Sequence, residues 1–235
     1  MKIPVTRFLL CCLFCFAASQ CIYAQNKRKV TARLTAETVV KDTSGREYPA
    51  SVWQLLVNSG DYYITPVDSF NIHSDFLLHK ADSNRKALRK SIPPPQSSFF
   101  SVGGKFGRLK EQDLNKETVD SRGRILVLNY WFINCPPCRL EIPQLNRLAD
   151  SYRSDSNVVF AAITPDSDSR LETFLSFTRF SYHIIPFGDP LIRQYRINAF
   201  PVHVVVNKEG RVVYHSVGSS PEIEYWLKKA IEECR

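Results

Sequence analysis

Residues 125–133, Ile-Leu-Val-Leu-Asn-Tyr-Trp-Phe-Ile, are apolar at every position but Asn129. Such a run, with Gly123 punctuating its approach, predicts a strand buried on both faces, as in a parallel sheet. The period then changes. Residues 136–152 carry Leu140, Leu145 and Leu148 at helical spacing, and residues 158–164 return to a buried strand. Residues 166–179 predict an amphipathic helix, opened by Asp and Ser residues that suit an N-cap. A short strand over 183–186 and a short helix over 190–195 follow. Residues 202–207 and 211–216 read as a hairpin around Lys208-Glu209-Gly210. Residues 221–233 read as a closing helix, with Pro221 suited to a first helical turn. Strands that alternate with helices and end in a hairpin predict an α/β sandwich with a mixed sheet.

The chain upstream is less regular. Pro93-Pro94-Pro95 and the polar residues after it predict an extended linker, because three prolines remove three donors and favour open backbone. Before it, residues 34–40 and 48–57 are strand-like, and Asp42-Thr43-Ser44-Gly45 between them is a turn signal, so a hairpin is expected. Residues 61–66 suggest a third strand, and residues 76–91 a short helix. At the start of the chain, Lys2 and Arg7 precede an apolar run over 8–18 that is too short to span a bilayer. This reads as a signal peptide, residues 1–24, cleaved after Ala24, and it implies export to the periplasm. The alternative is lipid anchoring at Cys21, where residues 18–21 loosely resemble a lipobox. The expected organisation is therefore a signal peptide (1–24), a small β-rich extension ending in the proline linker (25–95), and an α/β domain (96–235).

Charge narrows the function little. Loss of Lys2 and Arg7, with no acid, lowers the net charge from +8 to +6. The basic residues are diffuse, not interleaved with stacking aromatics on one element, so nucleic acid is not an expected partner. Asp68, His73, Asp75 and His79 lie close in sequence, but their spacing fits no ligand pattern; no metal and no cofactor are expected.

Four of the seven cysteines fall in the signal peptide, and Cys135, Cys138 and Cys234 remain. That is too few for a disulfide framework. Cys135-Pro136-Pro137-Cys138 sits where the strand turns into a helix N-terminus, where unpaired N–H groups and the helix dipole stabilise a thiolate. The spacing fits a redox pair, Cys135 attacking and Cys138 resolving the mixed disulfide. The rivals are weaker. Zinc needs four ligands, c-type haem needs a His where Arg139 stands, and a structural disulfide across so short a loop adds little stability. Cys234 reads as an incidental thiol.

From about residue 105 onward the chain resembles the TlpA/ResA-like branch of the thioredoxin superfamily. The resemblance is carried by Val127-Leu128-Asn129-Tyr130-Trp131 before the dithiol, by Glu141 and Pro143 after it, and by Phe200-Pro201-Val202. It implies a thioredoxin-like three-layer sandwich and an exported thiol–disulfide oxidoreductase. Glu141 would accept a proton from Cys138 during resolution. Its plainer alternative is an exposed glutamate or one interacting with the helix N-terminus. Pro143 would kink the helix. Pro201 would be cis, and with Phe200 would face the dithiol and bind substrate backbone. Trp131 would pack beside the dithiol and limit solvent access. His203 would share a strand face with Pro201, a packed or exposed role being expected ahead of one at the cysteines. Asn129 replaces the buried acid of thioredoxin itself. The implied partners are disulfide-containing exported proteins, with apocytochrome c a family-level candidate, and a membrane-bound thiol electron donor. The alternative function is a partner-binding module with secondary redox activity.

Overall fold

The computed structural model describes residues 31–235 apart from residues 33 and 36. The expected signal peptide and the alternative lipid site at Cys21 lie outside the described residues. The described residues divide into two compact units, one formed by those up to 50 together with 64–79, the other by 51–63 together with 80–235. No helix among the described residues is long and apolar enough to cross a membrane.

A four-stranded sheet runs in the order β2-β1-β4-β3, formed by β1 (Val40–Asp42), β2 (Glu47–Tyr48), β3 (Tyr62–Pro66) and β4 (Phe76–Lys80). The expected turn joins β1 to β2, with the Asp42 carboxylate accepting from the amides of Ser44 and Arg46. Gly45 there has φ +87°, a conformation that favours glycine.

Two upstream expectations need correction. Residues 48–57 look strand-like by composition, but Ala50–Asn58 is helix α1. Trp53, Leu56 and Val57 recur at helical spacing and turn inward while Val52 and Leu55 stay exposed, so periodicity outweighs the β-type residues. Residues 76–91 are not one helix. Phe76 and Leu78 are buried in alternation along β4, and helix α2 (Ser83–Ser91) starts only where the Asp82 carboxylate accepts the Arg85 N–H at 2.7 Å.

The larger unit holds a mixed five-stranded sheet in the order β11-β10-β7-β8-β9. Its strands are β7 (Ile125–Tyr130), β8 (Val158–Ile163), β9 (His183–Ile185), β10 (Val202–Val206) and β11 (Val212–Val217). β7, β8 and β9 are parallel, and β10 runs antiparallel to β7 and β11. A small hairpin, β5 (Lys110–Gln112) with β6 (Thr118–Asp120), was not expected, because both strands are short and largely polar.

Alternation on β7 sorts the two cores. Ile125 and Val127 face helices α3 (Pro136–Ser151), α4 (Asp168–Leu175) and α6 (Ile223–Glu232), packing with Leu145, Leu171 and Leu227. Leu126, Leu128 and Tyr130 face Ile192 of α5 (Asp189–Gln194) and the aromatic segment around Phe100 and Phe106. Helices therefore cover both faces, giving the expected three layers. Each fully buried aliphatic side chain adds about 1.5–3 kcal/mol relative to exposure. Helix α4 is shorter than the expected 166–179, and the side chain of its N-cap Ser167 makes no capping bond.

The proline segment lies along β11. The Val217 amide donates to the Pro95 carbonyl at 3.0 Å, and the Ser97 amide donates to His215 Nδ1 at 3.1 Å. Burial lowers the His215 pKa from its ordinary 6.5, which favours the neutral ring that accepts this bond. Between the lowered value and about 6.5 the unfolded chain binds more protons than the folded one, so the contribution is full above that window and is lost as pH falls through it. The melting temperature of wild type minus that of His215→Gln should therefore be larger at pH 7.5 than at pH 5. A difference that does not change with pH would refute the linkage.

Candidate active site

β7 delivers the chain directly into the dithiol turn. The Trp131 amide donates to the Ile163 carbonyl at 3.1 Å, which extends the pairing of β7 and β8 by one residue. The Ile133 amide then donates to the Asp166 carboxylate at 2.8 Å. Asp166 is buried, also accepts the Thr164 hydroxyl at 2.8 Å, and pairs with Arg170 at 2.5 Å. An acid expected to help open the α4 helix thus holds the loop before the cysteines. Its only sequence signal is its place just beyond a buried strand.

Cys135 and Cys138 are joined in a disulfide with Cα atoms 5.3 Å apart. Cys135 is the N-cap of α3, and its sulfur accepts the Cys138 backbone N–H at 3.3 Å. Pro136 and Pro137 occupy the first helical positions, where a missing N–H costs no helical bond. The first free amide of the helix therefore points at the Cys135 sulfur, the arrangement that stabilises a thiolate when the bond opens. Both cysteines are buried in the apolar cluster that contains Trp131. Trp131 is itself fully buried against Phe174 and Phe180, with ring centroids 5.6 and 5.2 Å away.

The Phe200–Pro201 peptide is cis. Phe200 is half-buried and packs edge-on against Phe132 at 5.2 Å, which joins the loop before β10 to the loop before α3. The Pro201 carbonyl accepts the Gly218 amide at 2.9 Å.

Glu141 lies one turn after Cys138 on the same helix and is fully buried. The plainer expectation of an exposed glutamate therefore does not hold. One carboxylate oxygen accepts the Ser220 backbone N–H at 2.8 Å, and the other meets His203 Nε2 at 2.9 Å. His203 is also fully buried and lies opposite Asn129 in the register of β10 with β7. The Asn129 amide nitrogen faces His203 Nδ1 at 3.3 Å, so Nδ1 accepts and the Nε2 hydrogen is directed to Glu141. Asn129, His203 and Glu141 thus form one buried polar chain under α3. Tyr182 and Tyr214 feel it: burial, and next the Glu141 charge, push the Tyr182 hydroxyl well above its ordinary range, and burial raises Tyr214 to about 12.

Among the described residues, only Asp113, Glu117 and His183 gather metal-type ligand atoms. Asp113 is already engaged, one oxygen accepting the amides of Asn115 and Glu117 and the other meeting His183 Nδ1 at 2.8 Å. Cys234 is a free, half-buried thiol.

Residues 102–215 match the AhpC/TSA family. The thiol-disulfide oxidoreductase ResA of Bacillus thuringiensis is 27% identical over 116 residues, covering 48% of this chain and 67% of that protein. The sporulation thiol-disulfide oxidoreductase A of Bacillus subtilis is 22% identical over 118 residues, covering 48% of this chain and 72% of that protein. A DsbE-like thiol:disulfide interchange protein from Chlorobium tepidum superposes with a TM-score of 0.52 at 19% identity, covering 57% of this chain and 98% of that one. The fold is thioredoxin-like.

Because Glu141 satisfies partners from two other segments, Glu141→Ala should destabilise the protein by about 2–5 kcal/mol in denaturant titration, each buried group left unpaired costing about 1–3 kcal/mol. Loss of under about 0.5 kcal/mol, the range of an ordinary surface substitution, would show that the buried chain contributes nothing.

Proposed function

We propose that this thiol–disulfide oxidoreductase, whose thioredoxin-like domain resembles those of ResA-type proteins, reduces or exchanges disulfides in exported proteins through Cys135 and Cys138. The observation that carries the reading is the Cys135 sulfur at the N-cap of α3, accepting the Cys138 N–H. In the reduced protein the Cys135 thiolate attacks one sulfur of a substrate disulfide. That S–S bond breaks, a mixed disulfide forms, and the departing sulfur takes up a proton. Cys138 then loses its proton to Glu141 and attacks the Cys135 sulfur. The substrate leaves with two electrons more, and the Cys135–Cys138 disulfide is restored. Phe200 and Pro201 hold the substrate backbone beside the dithiol, and Trp131 walls the cysteines from solvent on the core side.

The organisation follows the same reading: a signal peptide over 1–24 exports the chain to the periplasm, residues 25–95 form an extension, and residues 96–235 carry the redox site. Because the periplasm is kept oxidising, turnover as a reductase takes electrons from a membrane-bound thiol donor. Apocytochrome c is one substrate that fits. The alternative, a partner-binding module, is favoured by no specific contact.

An insulin reduction assay separates the two. Wild type should reduce insulin and Cys135→Ser should not; inactivity of both would leave the binding module. Cys138→Ala expressed in the native compartment should trap mixed disulfides on Cys135, and equal trapping by Cys135→Ala would reverse the assigned roles. Glu141→Gln should slow the resolving step on the order of 100-fold, the ordinary worth of a positioned proton acceptor, with the fold retained. Unchanged single-turnover kinetics across pH 5–8 would remove Glu141 from the mechanism.

A further inference from the structure

Helix α1 precedes the region shared with the known relatives, yet residues 51–58 lie in the same compact unit as the dithiol. Its last residue explains why. Asn58 Nδ2 donates to the Leu140 carbonyl at 2.5 Å, the Asn58 carbonyl accepts Gln144 Nε2 at 2.8 Å, and Asn58 Oδ1 accepts the Ser219 hydroxyl at 3.1 Å. Asn58 is buried, and the first two of these bonds grip α3 beside Pro143, where the helix lacks one of its own donors. Three bonds from a single buried residue make α1 a fixed part of the redox unit.

Fixed in this way, α1 forms a wall beside the cysteines. Ser51, Gln54 and Leu55 line a hollow of about 360 Å³ with Pro136, Arg139 and Leu140. Arg139 and Thr178 continue it into a second hollow of about 560 Å³, bordered by Phe174, Phe177 and Arg170. Pro136 lies between the two cysteines in sequence, so the groove borders the dithiol turn. The groove exposes apolar surface: Leu55 is 50% accessible and Phe177 is 90% accessible. No acid lines either hollow. Arg170 pairs with Asp166, but Arg139 has no ion pair among the described residues and lies over the Phe174 ring at 5.6 Å. Arg139 also stands in the first turn of α3, where the helix dipole disfavours a cation by about 0.3–1 kcal/mol. Helix stability therefore gives no reason for its position, whereas an incoming carboxylate does.

We propose that the groove walled by α1 docks the disulfide-bearing polypeptide, an extended segment whose apolar side chain packs against Leu55 and Phe177 and whose acidic side chain pairs with Arg139. This rests on the disulfide-exchange reading of the same site and adds a substrate class to it. The segment upstream of the thioredoxin-like region thereby selects substrates.

The test uses the reduced full chain and three oxidants: a disulfide peptide with flanking Leu and Glu, the same peptide with flanking Ser and Lys, and the small neutral hydroxyethyl disulfide. Wild type should prefer the Leu/Glu peptide about tenfold in kcat/KM, the factor that 1.4 kcal/mol supplies. Arg139→Gln and Leu55→Asp should each lower the ratio of Leu/Glu peptide to hydroxyethyl disulfide rates by a similar factor, chiefly through KM. Equal use of both peptides by wild type, or an unchanged ratio in both variants, overturns the docking proposal while leaving disulfide exchange standing. Failure of wild type to reduce even hydroxyethyl disulfide overturns the exchange reading, and the docking proposal with it.

Discussion

A carboxylate with no access to water must find its partners in the protein, and Glu141 finds them in two segments far away in sequence. The Ser220 amide comes from the turn before α6 and His203 from β10, two residues beyond the cis-proline. Meeting this demand fixes the turn of α3 that follows the dithiol against the strand that follows Pro201. Breaking such a set leaves a buried polar group unsatisfied, a far larger penalty than the modest net gain of forming it. The site is therefore rigid around Glu141, and the rigidity comes from polar satisfaction within an apolar cluster.

The front of the site is held by a second buried acid. Asp166 fixes the Ile133 amide just before the cysteines, and the helix then begins at Cys135 with two prolines that need no partners. These two anchors, one on each side of the dithiol, leave the Cys135–Cys138 turn with its first free amide aimed at sulfur. Exchange chemistry follows from that aim: a disulfide that opens here releases a thiolate already provided with a donor.

The thioredoxin-like frame was legible because its signals are local. A near-continuous apolar run marks β7, alternation between strand and helix marks the layers, and two cysteines at the turn mark the chemistry. The polar chain was half legible. Asn129 stands out in the apolar run, and His203 stands out in Val-His-Val-Val-Val, but their meeting depends on the register of β10 with β7. Asp166 and Asn58 were not legible as anchors, since their partners lie 33 and 82 residues away. Residues 50–58 misled because Val52, Trp53 and Val57 favour strands by type, while the positions that turn inward, Trp53, Leu56 and Val57, have helical period.

The most direct measurement is the order in which the two thiols of the reduced protein react with a limiting amount of iodoacetamide at pH 7, read by peptide mass spectrometry. Nearly all the label on Cys135 is the result that a thiolate at the N-cap of α3 predicts. Label appearing first on Cys138, or divided evenly between the two, would contradict it.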